Sequence, residues 1–502
     1  MKKLIISFIL FMTILPLLAQ QKSAKRGLGW DEKTQDLSVS TISKMAPGIS
    51  WIYNWGVAPD NEISNLGPGK DMEYIPMCWN NSFDETKLRN YLNSHPGVKY
   101  LLGYNEPNFS AQSNMTPQQA ANAWPRLESL AQEFNLRLVA PALNFSGEKV
   151  GGRVWSPYEW LDEFLRLYPT ARIDNLALHC YMNWFTANTW FATEYFYADL
   201  YNTAKKDVYG KYPNIVAFLD NYKAANGHFP RMLLTEFCAW ENDGTIKNVD
   251  FQIDQMTQKV QKLEQSDLIE GYAWFIGNAN AATYPYMSIF ERNTPSSELS
   301  TLGKVYVYMS SFDTNKYYTP SETIAAKDYI DASTDNLQVK LRPNSESGSE
   351  IPLQVEMQQS AWASYQVDIP ADGEYTVTMH INSTTANSFR LYKNTTGSAN
   401  RLANATLPST NGNWQDVTFT TTLPAGKYNL LCYNMGSSFL VNSMQITRND
   451  TGISSVSLQP SRPSAIYDLM GRKVADRSEL DSHFSTLPKG IYIIDGKRVA
   501  IK

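Results

Sequence analysis

Lys99-Tyr-Leu-Leu-Gly-Tyr-Asn-Glu-Pro107 and Arg231-Met-Leu-Leu-Thr-Glu-Phe-Cys-Ala-Trp240 each read as a short apolar strand that runs out onto a glutamate. A glutamate at the end of a strand is poorly placed for core packing. If both strands belong to one parallel barrel, their C-terminal ends share a face, and that face is where such barrels assemble their sites. Glu106 and Glu236 would then be two carboxyl groups directed at one cleft.

Working outward, six further runs of the same kind precede, separate and follow these two. They are Lys25–Trp30, Ile49–Gly56, Glu73–Asn80, Arg137–Leu143, Asn175–Tyr181 and Ile269–Ile276. Most lack strict alternation, which suits parallel strands covered on both faces. Between them lie amphipathic helical stretches. One opens at Thr116-Pro with an N-cap threonine and proline at the first position and runs to Phe134. Pro157–Tyr168 and Val249–Gln265 are two more. Eight strands alternating with helices predict an α/β fold, a (β/α)8 TIM barrel over residues 22–312, with Glu106 and Glu236 on its fourth and seventh strands.

The texture changes beyond Phe312. Residues 324–447 are rich in Thr, Ser, Asn and Val, with short alternating runs such as Tyr375-Thr-Val-Thr-Met-His-Ile381 and turns such as Pro370-Ala-Asp-Gly373. This predicts an antiparallel β-sandwich. Asn449–Ser464 reads as a linker. Residues 465–502 read as a small C-terminal β unit, with Asp495-Gly496 as a hairpin turn.

The 502 residues carry a net charge of -5, from 44 basic and 49 acidic side chains, with no basic tract. Nucleic acid is therefore not an expected partner. Charged residues make up only 19% while aromatics reach 13%, including 13 Trp, more than core packing usually needs. Aromatic faces stack on the C–H faces of sugar rings. Met1-Lys-Lys3, the apolar Leu4–Leu18 and small Ala19 read as a signal peptide over residues 1–19, cut before Gln20. An uncleaved anchor is the alternative. No later segment approaches a membrane span. We expect an exported monomer, secreted, periplasmic or on the cell surface of a Gram-negative bacterium. Four cysteines make no disulfide framework. Cys78, Cys180 and Cys238 fall near strand ends, so one bridge among them or a three-cysteine metal site are alternatives to small buried thiols.

Two carboxyl groups across one cleft are the minimum equipment for hydrolysing a glycosidic bond, one as acid and one as nucleophile or base. Asn105, beside Glu106, is placed to bond a sugar hydroxyl. Glu270, Asp174 and Glu73 lie where strands begin, on the opposite face. Asp31, Glu241 and Asp243 sit in loops as possible substrate contacts. His179 and Tyr181 end the sixth strand, and being two apart they share a face. Holding a carboxylate or a sugar hydroxyl and a purely structural part are equally open for His179. Trp30, Trp55, Trp79, Trp240 and Trp274 fall at or near strand ends and read as a stacking rim. Asn80 and Trp184 are weaker candidates of the same kind. No metal or cofactor is expected.

The pieces Lys25-Arg-Gly-Leu-Gly-Trp30, Trp51-Ile-Tyr-Asn-Trp-Gly56, Pro76-Met-Cys-Trp-Asn80, Leu102-Gly-Tyr-Asn-Glu-Pro-Asn108, Leu178-His-Cys-Tyr181, Leu234-Thr-Glu-Phe237 and Gly271-Tyr-Ala-Trp-Phe275 occur in an order that resembles glycoside hydrolase family 128. The resemblance spans about Lys25 to Phe312. It implies a retaining endo-β-1,3-glucanase acting on laminarin-like or curdlan-like β-glucan, with Glu106 as acid/base and Glu236 as nucleophile. A related hydrolase cutting β-1,4 or β-1,6 links and a catalytically inactive glycan-binding protein are the alternatives. Ala361-Trp-Ala-Ser-Tyr365, Trp414-Gln415 and Ala425-Gly-Lys-Tyr428 make the sandwich resemble a family 6 carbohydrate-binding module, with a departure at Phe439-Leu-Val-Asn-Ser-Met-Gln445. The tail, with Ile466-Tyr-Asp-Leu-Met-Gly-Arg-Lys-Val474, resembles the C-terminal sorting domains of Bacteroidota exported proteins.

Overall fold

The computed structural model describes residues 20–61, 63–181, 211–241, 246–279, 284–291, 298–333, 339–449, 465–476, 488–494 and 497–501. The expected signal peptide, Trp184, Asp243 and the Asp495-Gly496 turn lie outside the described residues. One compact unit extends to Arg448, and a second begins at Asn449.

All eight expected parallel strands are present in the first unit. They are β1 (Arg26–Gly29), β2 (Trp51–Tyr53), β3 (Glu73–Tyr74), β4 (Tyr100–Leu102), β5 (Arg137–Val139), β6 (Leu176–Cys180), β7 (Met232–Phe237) and β8 (Ile269–Trp274). Six form one parallel sheet in the order β3-β2-β1-β8-β7-β6, and β4 pairs with β5 in a second. Isolated parallel bridges, Met77 with Leu102 and Leu143 with Leu178, join the chain beyond β3 to β4 and the chain beyond β5 to β6.

The strands share a small hydrophobic cluster of their own, separate from the larger core, made of Trp51, Tyr53, Ile75, Met77, Leu102, Val139, Ala142, Ala177, Leu233 and Ala273. Every strand but β1 sends a side chain into it, directly or through the residues just past its end. β1 offers glycine because Trp51 fills the space: a Cβ on Gly27 would meet the Trp51 ring at 2.2 Å. At the N-terminal end of the strands Glu270 is tied by Arg137 at 2.9 Å and by the Tyr100 hydroxyl at 2.8 Å. That acid belongs to the stability face, as its place at a strand start implied.

Helices α1 (Val39–Met45), α2 (Glu85–Ser94), α3 (Pro117–Glu133), α4 (Pro157–Leu167), α5 (Pro213–Asn226), α6 (Val249–Gln265) and α7 (Thr301–Tyr308) follow β1, β3, β4, β5, β6, β7 and β8. Among the described residues no helix links β2 to β3. Thr116 with Gln119 and Ser156 with Glu159 form reciprocal capping boxes that satisfy the first free N–H groups of α3 and α4.

α6 departs from the amphipathic expectation. Its polar residues Gln252, Asp254, Gln255, Gln258, Lys259 and Gln261 are buried as fully as its apolar ones. They have two sets of partners: the β-sandwich takes Asp254, paired with Arg342 at 2.7 Å, and Gln261, which donates to Asp331 Oδ1 at 2.8 Å, while Gln252 and Lys259 bond the Ala239 and Cys238 carbonyls beyond β7. The sandwich itself is two antiparallel sheets. One orders Val339–Pro343, Leu353–Met357, Phe439–Arg448, Gly373–Asn382 and Trp414–Leu423, with Thr323–Ala325 paired to Phe439–Arg448. The other orders Asp331–Ala332, Trp362–Ile369, Gly426–Asn434, Asn387–Lys393 and Arg401–Leu407. Tyr365 is core, its hydroxyl on the Ala326 carbonyl at 2.8 Å, while Trp362 is half-buried.

Considered by itself, the second unit holds a four-stranded antiparallel sheet in the order Lys473–Asp476, Ala465–Asp468, Gly490–Ile494, Lys497–Ile501, centred on Ile466 and Tyr492. Cys78, Cys180, Cys238 and Cys432 are all buried, and no disulfide joins any of them. No helix among the described residues is long and apolar enough to cross a membrane.

Candidate active site

Glu236 owes its orientation to an irregularity in β7. Across the β6–β7 pairing Ala177 faces Leu233 but His179 faces Glu236, so β7 carries one residue more than β6 over that interval. A bulge of this kind re-aims a side chain. It lets two adjacent residues serve one site, where regular alternation would send them to opposite faces. The Thr235 hydroxyl lies 3.0 Å from His179 Nε2, and the Glu236 carboxylate lies 3.3 Å from His179 Nδ1.

Glu106 arrives from the other side, four residues beyond β4. Its backbone is left-handed, with φ 44°, and its N–H is fixed on the Ala142 carbonyl at 2.7 Å. A glutamate there is uncommon, and backbone strain of this sort is held where the surroundings over-determine it. His179 Nδ1 is 2.7 Å from Glu106 Oε1, and Asn144 Nδ2 donates to the same oxygen at 2.8 Å. Both partners converge on Oε1, and no described residue bonds Oε2.

Glu236 is surrounded more completely. Trp55 Nε1–H donates to its Oε1 at 2.7 Å, the Tyr53 hydroxyl lies 3.3 Å from the same atom, and the Tyr181 hydroxyl donates to its Oε2. Burial nevertheless pushes the Glu236 carboxyl above the ordinary value, and the nearby Glu106 adds to that; His179, Tyr181 and Trp55 pull the other way. Burial opposes charge on His179, but the Glu236 carboxylate and the bond to Glu106 outweigh it and hold the imidazole above its ordinary value. Burial first, then the Glu236 charge, pushes the Tyr53 and Tyr181 phenols far up, so both remain donors.

Half-buried aromatics line the Glu236 side. Tyr181 packs on Trp240 at 4.9 Å and on Phe275 at 5.5 Å, Trp55 meets Phe275 at 5.9 Å, and Trp240 meets Tyr284 at 5.2 Å. Trp79 is half-buried against the small cluster the strands share, and its carbonyl accepts the Asn105 N–H at 3.0 Å. Asn105 is 2% exposed; its Nδ2 reaches Gln112 only at 3.4 Å, and its Oδ1 has no partner among the described residues.

Several expected contacts are corrected. Trp30 and Trp274 are fully enclosed, with indole N–H groups on the Gln35 and Met287 carbonyls, and belong to the outer core. The reason is strand parity: Ala273 points into the small cluster the strands share, so Trp274 points to the larger core and Phe275 returns to the cleft side. By the same count the inward positions of β1 are Gly27 and Gly29. Asn80 is not among the corrected ones: it is half-buried, with its side-chain carbonyl on the Ser82 N–H at 2.9 Å. Glu241 is buried on Gln252 and the Tyr286 N–H, and Asp31 caps its own turn. Tyr53, Asn144, Thr235 and Phe275 were missed. The every-second aromatics of Trp51-Ile-Tyr-Asn-Trp55 signalled Tyr53, and the place of Asn144 just past the expected run Arg137–Leu143 signalled that residue.

The acid–histidine–acid group has one ligating atom from each of Glu106, His179 and Glu236 within 4.8 Å of the others. By residue type it is a conceivable cation site. Its chemistry favours proton sharing, because the imidazole is held above its ordinary value and Nδ1 lies at hydrogen-bond distance from a carboxylate.

Residues 27–306 match the family model described as glycosyl hydrolase catalytic core. The chain belongs to that family. No curated protein matches the chain. Among solved structures it is similar to a GH128 (subgroup II) endo-β-1,3-glucanase from Pseudomonas viridiflava, at 29% identity and TM-score 0.43 over 57% of this chain and 98% of that one. The corresponding enzyme from Sorangium cellulosum gives 26% and 0.41 over 56% and 97%. A subgroup I endo-β-1,3-glucanase from Amycolatopsis mediterranei, in complex with laminaritriose, gives 24% and 0.39 over 57% and 98%.

Proposed function

We propose that this protein is a retaining endo-β-1,3-glucanase of glycoside hydrolase family 128 that cleaves laminarin-like or curdlan-like glucan by double displacement. The observation that carries the mechanism is the closeness of the two acids, whose nearest oxygens lie within 4.8 Å. Carboxyl groups about 5–5.5 Å apart suit a covalent intermediate, whereas inversion needs roughly 6.5–9.5 Å to seat a water. Glu236 attacks the anomeric carbon while Glu106 gives its proton to the departing glycosidic oxygen. Water then attacks the same carbon, Glu106 takes its proton, and the bond to Glu236 breaks. Because His179 and Asn144 both engage Glu106 Oε1, Oε2 is the atom left to carry this proton. The two strand sets and their bridges are read as one closed (β/α)8 barrel, with both acids at its C-terminal face.

Trp55, Trp79, Tyr181, Trp240 and Phe275 supply stacking surface, and Asn105, whose buried Oδ1 has no partner among the described residues, is the expected bond to a sugar hydroxyl. The β-1,3 preference rests on the ordered motifs alone. Incubation with a panel of β-1,3-, β-1,4- and β-1,6-glucans, with sizing of the products, tests the reading. A ladder of oligosaccharides from β-1,3-glucan is expected. Cleavage confined to another linkage, release of single sugars only, or binding without cleavage would each overturn it.

A further inference from the structure

Gln20 is where the expected leader cut would leave a new amino terminus, and its side chain is held from both sides. Nε2 donates to the Asp328 carbonyl at 2.8 Å. Oε1 accepts the Ser311 N–H at 2.9 Å and the Ser311 hydroxyl at 3.2 Å. The Ser310 hydroxyl lies 2.9 Å from the same oxygen and 2.6 Å from the Tyr329 carbonyl, and its one hydrogen serves one of the two. The next residues are tied as closely. The Gln21 N–H donates to Asp313 Oδ2 at 3.1 Å, the Lys22 ammonium to the Asp71 carbonyl at 2.6 Å, and the Ser23 carbonyl accepts the Ser50 hydroxyl at 2.6 Å. The partners of Gln20 come from two places in the chain. Ser310 and Ser311 follow α7, while Asp328 lies in the turn Ala326–Asp328 at the entry to the sandwich.

A free amino-terminal glutamine cyclises. Its α-nitrogen attacks the side-chain carbonyl carbon, the bond from that carbon to the amide nitrogen breaks, and ammonia leaves with a proton from the amine. The lactam that results has lost both the Nε2 donor and the terminal charge. We propose that Gln20 is the mature amino-terminal residue and that its docked carboxamide is a latch across this seam, shielded from cyclisation, with its α-ammonium retained one residue from the Asp313 carboxylate. The proposal rests on the expected cut between Ala19 and Gln20 and is independent of the catalytic reading.

The test is the terminal peptide mass of protein exported with its leader, followed by exposure of the folded protein and of a synthetic peptide of its first residues to glutaminyl cyclase. An open Gln20 terminus is expected, cyclising at least about tenfold more slowly in the folded protein, since giving up one or two such hydrogen bonds costs that much. A Gln20 terminus that is already a lactam, or one that cyclises as fast as the peptide, overturns the latch and leaves the cut standing. A terminus at any other residue overturns the cut, and the latch with it.

Discussion

Changing Tyr181 to Phe removes one oxygen from the site and little else. The ring is wedged against Trp240 and Phe275, with centroids 4.9 and 5.5 Å away, and phenylalanine fills the same space. The lost hydroxyl donates to Glu236 Oε2. A hydrogen bond to an ionised group contributes about 1.5–3 kcal/mol. Losing it disfavours only the charged form, and about 1.4 kcal/mol corresponds to one pH unit. Glu236 already titrates above the ordinary carboxylate value because it is buried, with Tyr181 among the groups that restrain the rise. The nucleophile must be ionised, so activity is lost as pH falls through its raised pKa. The acid limb of kcat/KM on a soluble oligosaccharide should therefore move up by about one to two pH units in Tyr181→Phe, while the alkaline limb stays in place. A uniform fall in rate with the acid limb unmoved would refute the reasoning and make Tyr181 a contact to substrate alone.

Two further perturbations test the scaffold. Gly27→Ala drives a methyl into the Trp51 ring at 2.2 Å and should lower stability by about 1–3 kcal/mol, read as a reduced Tm; an unchanged Tm would mean that Trp51 is free to move aside. Truncation after Phe312 uncovers Asp254 and Gln261 of α6, leaving Asp254 without Arg342, and should yield aggregated protein with little activity on short oligosaccharides; a soluble, fully active fragment would show that the sandwich is dispensable to the catalytic part.

The eight strands were legible as short apolar runs, and the glutamate pair because two of those runs lead onto an acid. What the sequence concealed was parity and company. Trp274 and Phe275 are adjacent and both aromatic, and only the direction of Ala273 tells which faces the cleft. The bulge that turns Glu236 inward shows only in its register with β6. The polar face of α6 looked like a solvated surface because its cover, Arg342 and Asp331, lies far along the chain. Gln20 looked like no more than the residue after a cut, since its partners lie nearly three hundred positions away.

The central claim is that Glu236 bonds to the sugar and Glu106 handles the proton. A 2-fluoro-sugar substrate with a good leaving group slows breakdown of a glycosyl-enzyme enough to isolate it. Peptide mapping by mass spectrometry of the trapped protein should place the sugar on the peptide that contains Glu236, at one equivalent per chain. A label on Glu106, or no label while ordinary substrate is still turned over with inversion at the anomeric carbon, would contradict the account.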